Sequence, residues 1–132
     1  MTEEKRPPLA FIHIPKTAGT SVVKALKDTF GDKNIFYACT SEQTAYFRDM
    51  SYEQLINYDV AGGHIPQRTF LRKLPGSQCF TVIRDPYQRA VSIYKHFSTK
   101  PQHKYYKLNC QMSFSQHLRW LSENQDIAYE MS

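Results

Sequence analysis

Apolar positions along the chain fall into short blocks that alternate between two spacings. Leu9-Ala-Phe-Ile-His-Ile14 is a compact apolar run closed by Pro15. A run this short fits a buried strand better than a helix. From Thr20 the apolar residues Val22, Val23, Leu26 and Phe30 recur at helical spacing, and Gly31 provides a stop. Residues 34–39 (Asn-Ile-Phe-Tyr-Ala-Cys) predict a second strand, and residues 41–48 and 51–57 two short helices. Tyr58 to Gly62 predicts a third strand running into Gly62-Gly63, followed by a helix from Pro66 to Leu74 and a Pro75-Gly76 turn. Gln78 to Ile83 predicts a fourth strand. Asp85-Pro86 opens a helix with proline at its favoured first position, carrying Ala90, Val91, Ile93, Tyr94 and Phe97. Ser98 to Gln111 is polar and basic and reads as a loop long enough to cover a ligand. Helical spacing returns from Ser113 to Ser122, where Ser113 and Gln116 form a capping-box pattern. Residues 1–8 read as a polar tail, and the last ten residues are polar.

Strands alternating with helices predict an α/β fold with a mainly parallel sheet in one domain over residues 9–132. The 132 residues suffice for a real core. Apolar residues make up 41% and charged residues 22%, which excludes disorder as a whole-chain description. No apolar run approaches the roughly 20 residues of a membrane helix, and the N-terminal residues lack a signal-like apolar region, so a cytoplasmic setting is expected. Cys39, Cys79 and Cys110 have no metal-ligand spacing and are expected to be free thiols. Seventeen Lys and Arg against twelve Asp and Glu give a net charge of +5, which favours an anionic partner.

In parallel sheets, ligands bind where strand ends meet helix starts. That directs attention to three turns. Pro15-Lys-Thr-Ala-Gly-Thr-Ser21 combines Lys16, Thr17, Ala18, Gly19, Thr20 and Ser21 at a helix start. Gly19 allows close backbone approach, and the unpaired N–H groups, hydroxyls and one ammonium suit an anion. The turn is not a Walker A loop, because Lys16 precedes Gly19 instead of following it. The alternative is an ordinary turn capped by Thr20. In the second turn, Arg84 follows a strand end and can offer a planar fork to a phosphate or enter an ion pair. Ser92 lies about 9 Å along the next helix from Pro86, and Arg89 can pair with Asp85 or brace the turn. In the third turn, His64 follows Gly62-Gly63, where an imidazole can approach a ligand and move a proton. His13 lies within the first strand and reads as a core or orienting residue. His96, His103 and His117 show no pairing pattern.

Taken in order, Phe11-Ile-His-Ile-Pro-Lys-Thr-Ala-Gly-Thr-Ser21, Gly63-His64-Ile65 and Thr81-Val-Ile-Arg-Asp-Pro-Tyr-Gln-Arg-Ala-Val-Ser-Ile-Tyr94 resemble the sulfotransferase family of the carbohydrate 2-O-sulfotransferase type. The resemblance spans roughly residues 9–122. It implies a P-loop-like three-layer α/β/α arrangement, shortened by the absence of the family's C-terminal part. It implies 3′-phosphoadenosine 5′-phosphosulfate (PAPS) as donor and 3′-phosphoadenosine 5′-phosphate (PAP) as product. Lys16 to Ser21 would hold the 5′-phosphosulfate, and Arg84 and Ser92 the 3′-phosphate. His64 matches the general base, and Lys16 would steady charge on the leaving bridging oxygen. The expected acceptor is a hydroxyl, most often on a carbohydrate. No metal, nucleic acid or membrane partner is implied, and a homo-oligomer is compatible with the short chain. Three alternatives belong to other classes. They are a non-catalytic PAPS- or nucleotide-binding module, a nucleotide kinase or NTPase, and a nucleic-acid binder using the basic, aromatic loop from Lys95 to Lys107.

Overall fold

The computed structural model describes residues 5–130. Among them, four strands form one all-parallel sheet in the order β2-β3-β1-β4, accompanied by eight helices. The strands are β1 (Leu9–Ile12), β2 (Ile35–Ala38), β3 (Val60–Gly63) and β4 (Cys79–Thr81). The helices are α1 (Gly19–Phe30), α2 (Ser41–Asp49), α3 (Tyr52–Leu55), α4 (Gln67–Lys73), α5 (Pro86–Thr99), α6 (Tyr106–Asn109), α7 (Phe114–Glu123) and α8 (Gln125–Glu130). The chain packs as two compact units. One holds residues 5–14 and 18–82, and the other holds residues 15–17 and 83–130.

In the sheet-bearing unit, the period-two alternation of each strand sorts side chains onto two faces. Ala10, Phe36, Ala38, Ala61 and Cys79 point to one face. There they join Phe47, Met50, Leu55, Ile65, Phe70 and Leu74 from α2, α3, α4 and their connections. Phe47, Leu55, Phe70 and Leu74 are fully buried. Each such side chain contributes about 2 kcal/mol of transfer free energy. Phe11, Tyr37 and Gly62 share a row on the opposite face, where Phe11 stacks on Phe80. Helix α1 begins on that face, with Gly19 against His13. Helix, sheet and helix therefore form three layers. Gly31, at φ 86°, ends α1, and full capping boxes open α2 (Thr40 with Gln43) and α3 (Ser51 with Gln54).

The second unit is built on α5, whose N-terminus is capped by Asp85 accepting from the Gln88 N–H at 2.9 Å. Phe97 is buried and meets His103, Tyr105, His117 and Trp120 through its ring. The expected capping box of Ser113 and Gln116 opens α7.

Two expectations need correction, those for 98–111 and for the N-terminal tail, and the structure adds detail at the C-terminus and at the start of α1. The stretch 98–111 is not a continuous loop: α5 runs on to Thr99 and α6 forms within it. Its aromatics turn inward onto Phe97, which gives a polar stretch a buried anchor. The polar C-terminal stretch contains α8, while residues 131–132 lie outside the described residues. Of the expected polar tail, residues 1–4 lie outside the described residues, and Pro8 is fully buried. The alternative of a Thr20 cap on α1 is not realised. Ala18 holds the N-cap position in a left-handed conformation, without a side-chain cap.

Candidate active site

The sheet order places a topological switch at β1 and β3. The connection leaving β1 runs to β2 on one side, and that leaving β3 runs to β4 on the other. The crevice beyond these two carboxyl ends is where such sheets bind ligands. Both strands continue their ladder by one residue: the His13 N–H donates to Gly63 O at 2.9 Å, and the His64 N–H to Ala38 O at 3.0 Å. His13 and His64 are thereby set side by side, with ring centroids 4.3 Å apart and planes inclined by 28°.

His64 Nδ1 lies 3.0 Å from the His13 carbonyl oxygen. A carbonyl only accepts, so Nδ1 carries the proton and Nε2 of the neutral ring keeps its lone pair. The residue is exposed, so this lone pair is reachable. Partial burial holds the His64 pKa below the usual histidine value, and the bond to the His13 carbonyl pulls it partly back. His13 is pushed down to about 4, first by burial and then by the neighbouring His64. Its Nδ1 is hydrogen-bonded to the Tyr37 hydroxyl. Burial and the nearby Cys39 raise the Tyr37 pKa to about 12, so the phenol stays protonated.

Gly19 explains itself in this setting. A Cβ there would lie 1.8 Å from His13 Nε2. Gly63 has φ 143°, and a Cβ on it would lie 2.0 Å from Ala38 O. Both positions therefore require glycine for close approach.

The turn Pro15 to Ser21 is conformationally unusual. Lys16 and Ala18 have φ 66° and 68°, a left-handed geometry rare outside glycine. Strain of this kind gathers at ligand sites, and successive N–H groups in such turns form anion-binding concavities. Thr17 between them is 2% exposed, whereas Thr20 and Ser21 are exposed on the first turn of α1.

In the second unit, Arg89 Nε donates to Pro15 O at 3.0 Å, bracing the start of this turn against α5. Lys16 is held below the usual lysine value by burial and then by the positive charges of Arg84 and Lys100. Among the described residues no carboxylate forms an ion pair with Lys16, Arg84 or Lys100. Gathering unneutralised cations is costly unless an anion joins them, so these residues fit a phosphorylated ligand. Arg84 is exposed just beyond β4, and Ser92 is half-buried on α5 with no hydrogen bond between the two.

A sulfotransferase-family model aligns with residues 1–131. The chain belongs to the sulfotransferase family. Sulfotransfer is accordingly its general chemistry. No curated protein and no solved structure gives a significant match to the chain. Within this sulfotransferase, sequence reasoning missed Tyr37 as a partner of His13. It also left the bracing role of Arg89 open and gave Lys100 no part in the Lys16 environment. Tyr37 had a signal, because Gly62 leaves the intervening strand bare on its face. His96 and His103, read as unpaired, meet edge-to-face at 5.1 Å, and buried His117 bonds Asn109 through Nδ1. Among the described residues no cluster of three or more His, Cys, Asp or Glu could hold a metal ion, and no helix is long and apolar enough to cross a membrane. The cysteines Cys39, Cys79 and Cys110 are free.

Proposed function

We propose that the protein transfers a sulfonate group from PAPS to a hydroxyl acceptor, in the first instance on a carbohydrate, with His64 as general base. The observation that carries this reading is the tautomer of His64. Its Nδ1 is committed to the His13 carbonyl, which leaves an accessible Nε2 lone pair for the acceptor proton. The lowered pKa keeps that lone pair free at neutral pH.

Lys16 to Ser21 hold the 5′-phosphosulfate, and Arg84 and Ser92 the 3′-phosphate. The uncompensated charges of Lys16 and Arg84 and the left-handed turn support these assignments. The donor, when bound, supplies an activated sulfonate whose bridging oxygen leaves with the phosphate. Lys16 stands ready to stabilise that oxygen, and one preorganised donor of this sort is worth about 3–4 kcal/mol in a transition state. His64 Nε2 takes the acceptor's proton as the new oxygen–sulfur bond forms, and the resulting imidazolium keeps its Nδ1–H on the His13 carbonyl.

Calorimetry with PAP, using ATP as control, tests the donor assignment. Micromolar PAP binding that exceeds ATP binding and weakens in Lys16→Ala and Arg84→Ala is expected. Absence of PAP binding by folded wild type would refute the reading. With donor binding in hand, turnover on a carbohydrate panel should fall about 10²–10⁴-fold in His64→Ala. Binding without turnover on any acceptor would instead mark a non-catalytic donor-binding module.

A further inference from the structure

The side chains surrounding His64 in the sheet-bearing unit are more elaborate than a lone base requires. We propose that His13 and Tyr37 form a positioning pair for His64, the Tyr37 hydroxyl locking the His13 ring, and the His13 ring and carbonyl together fixing the plane and tautomer of His64. The inference rests on the reading of His64 as the base.

Four observations carry it. Tyr37 Oη bonds His13 Nδ1, and these residues come from β2 and the end of β1, which are separated by β3. They can meet because β3 presents Gly62 there, with no side chain on that face: Tyr37 pairs in register with Gly62, as Phe11 does from the other side. On its opposite edge, His13 Nε2 faces the Cα of Gly19, where no Cβ is tolerated. The imidazole is thus held at both ends. Its face then carries the His64 ring at 4.3 Å, while its own carbonyl accepts the His64 Nδ1–H at 3.0 Å.

A carbonyl contact alone leaves an imidazole free to swing about that hydrogen bond. A rigid ring beneath it removes the swing and holds Nε2 in one direction, which is how a supporting contact sharpens a reacting group. An ionised His13 would repel an imidazolium on His64. The buried environment that keeps His13 neutral at physiological pH removes that repulsion. His13 and Tyr37 touch no reacting atom in this scheme and act only through His64.

The test is nitrogen-resolved NMR of the histidine rings in the full chain, with wild type, Tyr37→Phe and His13→Phe. Tyr37→Phe deletes one oxygen. His13→Phe keeps a flat ring under His64 and the main-chain carbonyl, but loses the bond to Tyr37. In wild type, His64 is expected in the Nδ1–H form at pH 7.5. In both variants the Nε2–H form should appear beside it, with PAP affinity unchanged within about twofold and kcat reduced about tenfold, the worth of one hydrogen bond. An unchanged His64 tautomer in both variants overturns the proposal. So does a loss of PAP affinity that parallels the loss of turnover, because that marks general disruption of the fold. The tautomer readout needs no turnover, so it is separate from the base assignment. If His64→Gln retains full activity, the base reading fails while the NMR result still reports on the positioning pair.

Discussion

Gly19→Ala is the most informative single perturbation of this site. The added Cβ would lie 1.8 Å from His13 Nε2, 2.2 Å from Cε1 and 2.5 Å from Cδ2. An ordinary contact begins at 3.4 Å, so the His13 ring or the start of α1 must retreat by about 1.6 Å. The ring has little room, because Tyr37 holds its Nδ1 and His64 covers its face. Overpacking of this kind costs about 1–3 kcal/mol. Loss of the Tyr37 bond adds about 1 kcal/mol. Alanine's helical advantage over glycine offsets at most about 1 kcal/mol. The expected net destabilisation is about 1–3 kcal/mol. Urea unfolding followed by far-ultraviolet circular dichroism should show the midpoint falling by about 0.7–2 M at an m-value of about 1.5 kcal/mol/M. The decisive comparison is a double-mutant cycle with His13→Ala, which vacates the contested space. In that background Gly19→Ala should be neutral or slightly stabilising, giving a coupling of about 2 kcal/mol. Additive effects would refute the claim that His13 occupies the space beside Gly19.

Arg89→Lys should weaken PAP binding about fivefold by calorimetry. Lysine has no Nε–H to offer the Pro15 carbonyl, and one such bond is worth about 1 kcal/mol; unchanged affinity would show that the turn holds its shape without this brace. Stability should fall as pH drops from about 6.5 towards 4. Burial lowers the pKa of all five histidines, in the case of His13 to about 4, so the folded state binds fewer protons than the unfolded state across that window. Their contribution is fully present above pH 6.5 and lost as pH falls through the folded values. Urea midpoints at pH 7.5 and 4.5 measure it, and equal midpoints would contradict the burial argument. Turnover should likewise rise with pH through the lowered His64 pKa and reach a plateau by neutral pH, with the pH profile of kcat as the check.

Much of the fold was legible because its signals are local. Leu9 to Ile14 fits a short buried strand before Pro15 better than a helix, and β1 forms at Leu9–Ile12. Gly31 ends α1 as expected, Pro86 opens α5, and Ser113 with Gln116 caps α7. Failures came where a long-range contact overrode local polarity. The stretch 98–111 looks like a loop because its residues are polar and basic. His103 and Tyr105 nevertheless pack on Phe97, and Asn109 is buried in a bond to His117. The alternative of a Thr20 cap also gives way: a left-handed Ala18 takes the N-cap position, and the turn is braced by Arg89, a residue far along the chain.

The sequence by itself determined the alternation of strands and helices, the sulfotransferase motifs and the residue types at the three turns. These depend on neighbours a few positions apart, so spacing and composition carry them. Only the tertiary structure decided which of those residues touch. Strand order interleaves β3 between β1 and β2, and register brings His13 beside His64 with Tyr37 on its far side. Neither order nor register is encoded in any single segment. Both follow from how the hydrophobic faces of several segments are buried together, and from Gly62, which leaves the middle strand without a side chain on the face where those three residues meet.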